Sequence, residues 1–306
     1  MGTPALEIKG LEKKFRRLRA LADLTFQVPQ GVTCAFVGAN GAGKTTTFSV
    51  IGGFLRPTKG EIFIQGVPVK PLSQAEGRVG VLPQDMRFFE ERTVESQLVL
   101  FARLVGISGG TLHEEVTRVL SAVGLSEKRT EPARALSRGM RVRLGIAQAL
   151  IGSPELLLLD EPLAGLDPVV RAQVKELIQE LHGKVTVIVS SHELGELQTF
   201  CDYIVAIDRG HCLFSGPMEE ALGAGDQFIT YHLGAAPRDL QELEARISPL
   251  PAIVENETKL LVQFGTESPG RVNEKVLSWL LEKKIPILQV IHQRSLEEAY
   301  LKFVTK

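Results

Sequence analysis

Short apolar runs alternate with stretches of helical spacing over about residues 5–215. VTCAFV (32–37), ELLLLD (155–160) and VTVIVS (185–190) are apolar almost throughout, with turn or polar residues at their ends. A strand with one wet face alternates apolar and polar positions, whereas an unbroken run fits a parallel strand covered on both faces. Residues 94–106, 138–151 and 169–182 read as helices between such strands. Strands alternating with helices predict an α/β domain on a parallel sheet. Nearer the N-terminus, LEIKG, LTFQV and EIFIQ alternate more evenly, which predicts an antiparallel edge region with one wet face.

After GPMEEALGAGD (216–226) the pattern restarts. QFITYHL, a helix near 238–247, AIVE, KLLVQF, a helix over 271–284 and PILQVI follow in turn. That β-α-β-β-α-β order is the ferredoxin-like one. The division is therefore a first domain over 1–220 and a small α+β accessory domain over 221–306. A last helix, SLEEAYLKFV, opens on Ser295 with Glu298 three residues on, the spacing of a capping box.

Composition removes some partners. The 35 Lys and Arg nearly balance the 36 Asp and Glu, so the formal net charge is −1. Bulk charge thus favours neither nucleic acid nor an anionic membrane surface. Cys34, Cys201 and Cys212 stand singly and read as small core residues of a reducing compartment. The opening MGTPALEIKGLEKKF lacks the apolar core of a signal peptide. No apolar run approaches the ~18 residues that span a bilayer, so a membrane partner is expected to do any spanning.

Chemistry concentrates in three places. FVGANGAGKTTT carries G-x-x-x-x-G-K-[ST], following a buried strand and preceding a helix. Gly38, Gly41 and Gly43 let backbone N–H groups approach phosphate oxygens, and a helix starting near Lys44 adds its positive end. Lys44 is expected on the β- and γ-phosphates and the Thr45 hydroxyl on Mg²⁺, with Asn40 and Thr46 in the same phosphate-binding set. ELLLLDEP ends a buried strand on Asp160, which can hold Mg²⁺ directly or through water. Glu161 follows on the opposite side of the pleat, so the two carboxylates can divide metal binding from activation of water. Third, ALSRGMRVRLG (135–145) puts a serine, a glycine and three arginines at one helix start, more anion-binding character than a cap requires.

With VLPQD at Gln84, AGLD at Asp167, SSHE at His192 and LSRGM at Ser137, the first 220 residues resemble the nucleotide-binding subunit of ATP-binding cassette (ABC) transporters. The resemblance implies a RecA-like parallel core, an antiparallel β subdomain and a helical subdomain over about 85–150. It implies an ATPase on the cytoplasmic face of a membrane, using ATP and Mg²⁺, paired head to tail with a second, most simply identical, cassette. Ser137 and Gly139 then meet the γ-phosphate held by the partner, and Asp167 crosses the interface. The resemblance further implies that Gln84 senses Mg²⁺ and the attacking water, that His192 contacts the γ-phosphate and that Phe15 stacks on adenine.

Residues after Gln84 are where this family meets its membrane permease, and Met86, Phe88 and Phe89 are candidate docking residues or local core. Arg138 and Met140 depart from the family's commonest signature, LSGGQ; Arg138 either faces a phosphate or points to solvent. Leu163, where threonine is more usual, reads as packing. The variant signature and the SLEEAYLKF tail look like bacterial exporter cassettes. Alternatives are a soluble ABC ATPase working on DNA or ribosomes, and an ATP-gated scaffold; the single phosphate loop and the Glu161–His192 pair argue against them. The C-terminal domain reads as dimer support or packing cover before a small-molecule sensor.

Overall fold

The computed structural model describes residues 2–16, 18–69, 77–224, 228–237, 240–248, 250, 252–256, 258–263, 268–292 and 296–305. Its chain divides into two units, Met1–Met218 and Glu219–Lys306. The first runs β1 (Leu6–Phe15), β2 (Leu18–Val28), β3 (Thr33–Val37), α1 (Lys44–Ile51), β4 (Lys59–Ile64), β5 (Val67–Pro68) and β6 (Val79–Leu82). Three helices follow, α2 (Val94–Leu104), α3 (Thr111–Ala122) and α4 (Arg138–Leu150). It closes with β7 (Leu156–Asp160), α5 (Pro168–Glu180), β8 (Thr186–Ser191), α6 (Leu194–Leu197), β9 (Tyr203–Asp208) and β10 (His211–Pro217).

The central sheet has the order β10-β9-β3-β8-β7-β6, parallel from β9 to β6 with β10 antiparallel at one edge. All residues of β3, β7 and β8 are buried, as their unbroken apolar runs predict. A second, antiparallel sheet, β2-β1-β4-β5, shows the alternating burial expected of one wet face. Phe26 of that sheet, Phe36 of β3 and Phe48 of α1 join the layers, with ring centroids 5.7 and 5.5 Å apart. Such pairs add roughly 0.5–1.5 kcal/mol each beyond the area they bury. Cys34 and Cys201 are buried and their thiols pushed up by that burial; in half-buried Cys212 the push is to about 11. All three are poor thiolates at neutral pH.

Helix α2 starts where Thr93 accepts from the Ser96 amide at 3.2 Å, and it buries Val94, Gln97, Leu98 and Ala102 on one face. Helix α4 lies tightly on β6, and two glycines make that approach achievable. A Cβ on Gly80 would stand 1.9 Å from the Ala149 carbonyl oxygen, and one on Gly145 2.3 Å from Leu82 Cδ1. Strand β6 is four residues long and interrupted by Gly80, so its hydrophobic pattern is faint in the sequence.

Helix α7 (Met218–Ala224) crosses the boundary between units. The second unit contains β11 (Phe228–Leu233), α8 (Leu240–Ile247), β12 (Ala252–Asn256), β13 (Lys259–Gln263), α9 (Pro269–Glu282), β14 (Ile287–His292) and α10 (Leu296–Thr305). Its antiparallel sheet has the order β12-β13-β11-β14, so each β-α-β half is split by a strand of the other. Ile229, Tyr231 and Val262 pack with Leu243, Val276 and Trp279 of the helices. The Tyr231 hydroxyl donates to Asn273 Oδ1 at 2.7 Å. The Ser295 cap expected for α10 lies outside the described residues.

The β6–α4 contact is directly testable. Gly80→Ala drives a methyl into the Ala149 carbonyl and is expected to destabilise by about 3 kcal/mol. That lowers the melting temperature of the first unit by roughly 6–12 °C. Gly110→Ala, where a Cβ meets nothing within 4 Å, is the control and stays within about 0.5 kcal/mol. Equal melting temperatures for the two variants would remove the close approach as a constraint on α4.

Candidate active site

Strand β3 ends at Val37 and the chain turns through residues 38–43 into α1. Gly41 and Gly43 have φ of 83° and 112°, in the left-handed region that glycine occupies freely. Gly38 is glycine for lack of space: a Cβ would stand 2.6 Å from the Ile207 carbonyl oxygen. Gly43 caps α1 with no side-chain hydrogen bond, so the helix starts without a side chain on its first amides. Lys44 folds back over the loop, its Nζ donating to the Gly38 carbonyl at 2.7 Å. Burial lowers the pKa of its ammonium, while Glu161 and Asp160 work against that shift. Thr47 turns inward and donates to the Gly43 carbonyl at 2.9 Å, leaving Thr45 and Thr46 to face the cleft.

Asp160 ends β7 and is buried. Ser190 of β8 donates through Oγ to Asp160 Oδ1 at 2.6 Å and accepts from the Glu161 amide at 2.9 Å. Glu161 has φ 51°, left-handed and not extended, so it does not occupy the opposite side of a continued pleat as the sequence reading has it. The chain leaves the strand at Asp160, because Ser190 holds the next amide in a turn. A non-glycine residue there costs on the order of 1–2 kcal/mol. Glu161 Oε2 lies 2.9 Å from His192 Nδ1.

These groups surround a cleft of about 510 Å³. Asn40, Gly41, Gly43, Lys44, Thr45, Thr46, Gln84, Glu161 and His192 line it, joined by Leu18, Arg19, Ala20, Ala39 and Ala164. Gly38 supports it from below through Lys44, and Asp160 through Ser190 and the Glu161 backbone. Ser190 is the part of this arrangement that sequence reasoning passes over. It stands two places before His192 in a run that reads simply as strand. The β2 residues Leu18, Arg19 and Ala20 reach the cleft only because the antiparallel sheet closes over the loop.

Besides Gly38 and Asp160, four expected residues stand outside the lining. Phe15 ends β1, 40% exposed, with Lys13 Nζ 5.0 Å from its ring centre. Ser137 caps α4, its Oγ accepting from the Met140 amide at 3.3 Å, which leaves the hydroxyl proton free to donate. Asp167 caps α5 by accepting from the Val170 amide at 3.1 Å. Gly139 is buried against Val170. Arg138 is exposed and stands outside the cleft lining, and its Nη2 donates to the Ala164 carbonyl at 2.8 Å. Leu163 is buried, in keeping with a packing role. Met86 and Phe88 are half-buried around a small cavity beside Gly145, so they are less exposed than their sequence context implies. Phe89 is 52% exposed, with the Arg92 guanidinium 5.2 Å from its ring centre.

Comparison with known proteins matches residues 21–164 to the family described as ABC transporter. The chain is 32% identical over 300 residues to the uncharacterized ABC transporter ATP-binding protein YxlF of Bacillus subtilis, covering 98% of this chain and 99% of that one. It is 31% identical to the Nod factor export ATP-binding protein I of Ralstonia nicotianae, covering 98% and 94%. A 30% identical stretch, 70% of this chain, matches the methionine import ATP-binding protein MetN of Mannheimia succiniciproducens, covering 66% of it. Among solved structures, cbiO1 of Clostridium perfringens, part of the ABC transporter complex cbiONQ, aligns with a TM-score of 0.65 at 25% identity, covering 72% of this chain and 91% of that one. The phosphate loop, the Asp160–Glu161 pair and these near-full-length relatives establish the chain as a member of the ABC transporter ATP-binding proteins, the nucleotide-binding ATPase subunit of such a transporter.

Proposed function

We propose that two copies of this chain close head to tail on two ATP molecules, and that closure and hydrolysis power a polytopic membrane permease, working as an exporter. The carrying observation is the Glu161 turn: a carboxylate held in a strained conformation on the cleft wall, with His192 on one oxygen. Such strain persists where the surroundings enforce it, and here it aims a base at the site of a γ-phosphate. Lys44 and the α1 amides bind the phosphates, Glu161 takes the proton of the attacking water, and His192 orients that carboxylate.

The donor set suits Mg²⁺. Asp160, buried beneath the cleft, has one oxygen engaged by Ser190, and Thr45 and Gln84 line the cleft above it. Oxygen donors of this kind fit a hard divalent cation. Among the described residues no three His, Cys, Asp or Glu side chains form a metal cluster, so Asp160 and Thr45 would hold the ion together with a bound nucleotide. When bound, the ion neutralises phosphate charge.

Ser137, Gly139 and Asp167 belong to helix starts outside their own cleft, which supports a role at the cleft of a second copy. For the permease, exposed Phe54, Leu104 and Val105 line a second cavity of about 330 Å³, and exposed Phe89 stands in the Gln84–Phe89 segment. That cavity shares Val81 and Gln148 with the pocket of Met86 and Phe88, so the docking surface extends from the Gln84–Phe89 segment to the end of α2. Glu90 accepts two hydrogen bonds from Arg141 of α4 at 2.8 and 2.6 Å, a direct path from that segment to the signature helix. No helix among the described residues is long and apolar enough to cross a membrane. Placement at a cytoplasmic membrane face follows from the permease reading, as does the absence of a nucleic-acid partner. Export is supported by the relative that aligns over both units and is named for export; the importer named above aligns over 70% of this chain.

MgATP at about 100 times its dissociation constant is expected to add ~2.7 kcal/mol of stability. In a domain of this size that raises the melting temperature by roughly 5–10 °C. Lys44→Ala should abolish the rise; a full shift in the variant removes Lys44 from the phosphate site. Glu161→Gln should retain ATP binding, lose about 10²–10⁴ in hydrolysis rate and accumulate an ATP-bound dimer on gel filtration. Normal turnover would place the base elsewhere.

The head-to-tail arrangement has its own test. Ser137→Arg and Lys44→Ala homodimers should both be nearly inactive, since each spoils both composite sites. A mixture forms heterodimers in which one site is intact and the other carries both lesions. Activity well above both parents is the expected result. Heterodimers shown to form yet as inactive as their parents would end the trans reading.

A further inference from the structure

The segment joining β7 to α5 has Glu161 at one end and Asp167 at the other. Between them, two carbonyl oxygens are each gripped by an arginine. Arg171 Nη2 donates to the Leu166 carbonyl at 3.2 Å, while its Nη1 binds Glu193 and Glu196, one and four places after His192. Arg138 Nη2 donates to Ala164 at 2.8 Å. Arg138 stands directly after Ser137, at the first residue of α4.

Gly165 shows how closely Arg138 is seated. It has φ 65°, and a Cβ there would lie 2.5 Å from Arg138 Nη2, 2.7 Å from Cζ and 2.7 Å from Nη1. The planar guanidinium therefore lies flat on the one residue of the turn that has no side chain. Two neighbouring contacts fasten the same helix to α5. A Cβ on Gly139 would stand 2.1 Å from Val170 Cγ1, and Arg143 Nη2 donates to Gln173 Oε1 at 2.5 Å. The first turn of α4, the 161–167 segment and the first turns of α5 are thus one packed body.

We propose that Arg138 is a positioning residue. It ties the signature end of α4 to the Glu161–Asp167 segment of its own chain. The end that reads the second copy's nucleotide then moves together with the base that acts on the chain's own nucleotide. A glycine at this position has no side chain to make that link. The proposal rests on the dimeric reading above, since only there do Ser137 and Glu161 serve different nucleotides. Its physical content is a register of about an ångström: misplacement on that scale can cost about 10² in rate, and a charge-assisted hydrogen bond to a carbonyl restrains it.

The test is steady-state ATPase activity against ATP concentration for Arg138→Gly, Arg138→Lys, Gly165→Ala and the Arg138→Gly/Gly165→Ala double variant. Arg138→Gly is expected to keep its melting temperature, its MgATP shift and its KM within about twofold, while kcat falls about tenfold. Cooperativity in ATP should fall towards none. Arg138→Lys, which keeps a cationic donor but not the flat plate, should recover part of the rate. Gly165→Ala should also lower kcat by displacing Arg138; that contact part should vanish in the double variant, leaving only the backbone strain that alanine meets at a φ of 65°.

Unchanged kcat and cooperativity in Arg138→Gly would overturn the proposal. So would a KM defect with kcat intact, which would put Arg138 on the second copy's phosphates. The Glu161→Gln parent separates the two levels. If it forms no ATP-driven dimer, the dimeric reading fails and takes this coupling with it. If it dimerises and Arg138→Gly changes nothing, the coupling alone is wrong.

Discussion

The hydroxyl of Ser190 sits between the two acidic groups of the site, donating to Asp160 Oδ1 at 2.6 Å and accepting from the Glu161 amide at 2.9 Å. This one bridge determines where β7 stops. Without a partner for that amide, a run of leucines followed by two acids would continue as strand and send the carboxylates to opposite faces. With it, Glu161 enters a left-handed turn and meets His192, while Asp160 stays buried behind it. The bridge needs β8 beside β7 in parallel register, and the register supplies it, pairing Asp160 with Ser190.

The rest of the catalytic body is arranged around that turn. On one side the phosphate loop brings Lys44 against the Gly38 carbonyl, with Glu161 and Asp160 opposing the larger effect of its burial. On the other, arginines from α4 and α5 hold the carbonyls of Ala164 and Leu166. Helix α4 can do this because Gly80 and Gly145 let it settle on β6. Its far side is fastened to the segment after Gln84 by the Arg141–Glu90 pair, which holds the Glu90 carboxyl below the usual carboxylate range. The surface proposed for the permease and the turn carrying Glu161 are therefore joined by α4, one rigid element with a polar clamp toward each side.

Much of this is legible in the residues themselves. The phosphate loop is local: glycine torsions, one lysine and one threonine act within a few residues, so spacing along the chain is spacing in space. The buried parallel strands are equally plain, because burial on both faces leaves no polar alternation to confuse them. Asp160, Glu161 and His192 stand at strand ends, where function in an α/β sheet gathers. The helix start at Ser137 is legible too, and its side chain does cap, whereas the cap that Asp167 makes on α5 emerges only in the structure.

What the sequence by itself determined was therefore everything set by local backbone chemistry and by burial period: the loop, the strands, the helix starts and the acidic pair. What only the tertiary structure decided was where side chains from distant segments converge. Ser190 joins the site through a neighbour 30 positions away, Leu18 and Arg19 through sheet closure over the phosphate loop, and Arg138 meets its carbonyl 26 positions on. Met86 and Phe88 turn partly inward because Gly145 leaves them room, and no pattern along the chain records that space. The physical reason is the same in each case. Periodicity reports whether a position faces water, whereas the partner of a hydrogen bond is chosen by register and packing, which depend on the whole sheet at once.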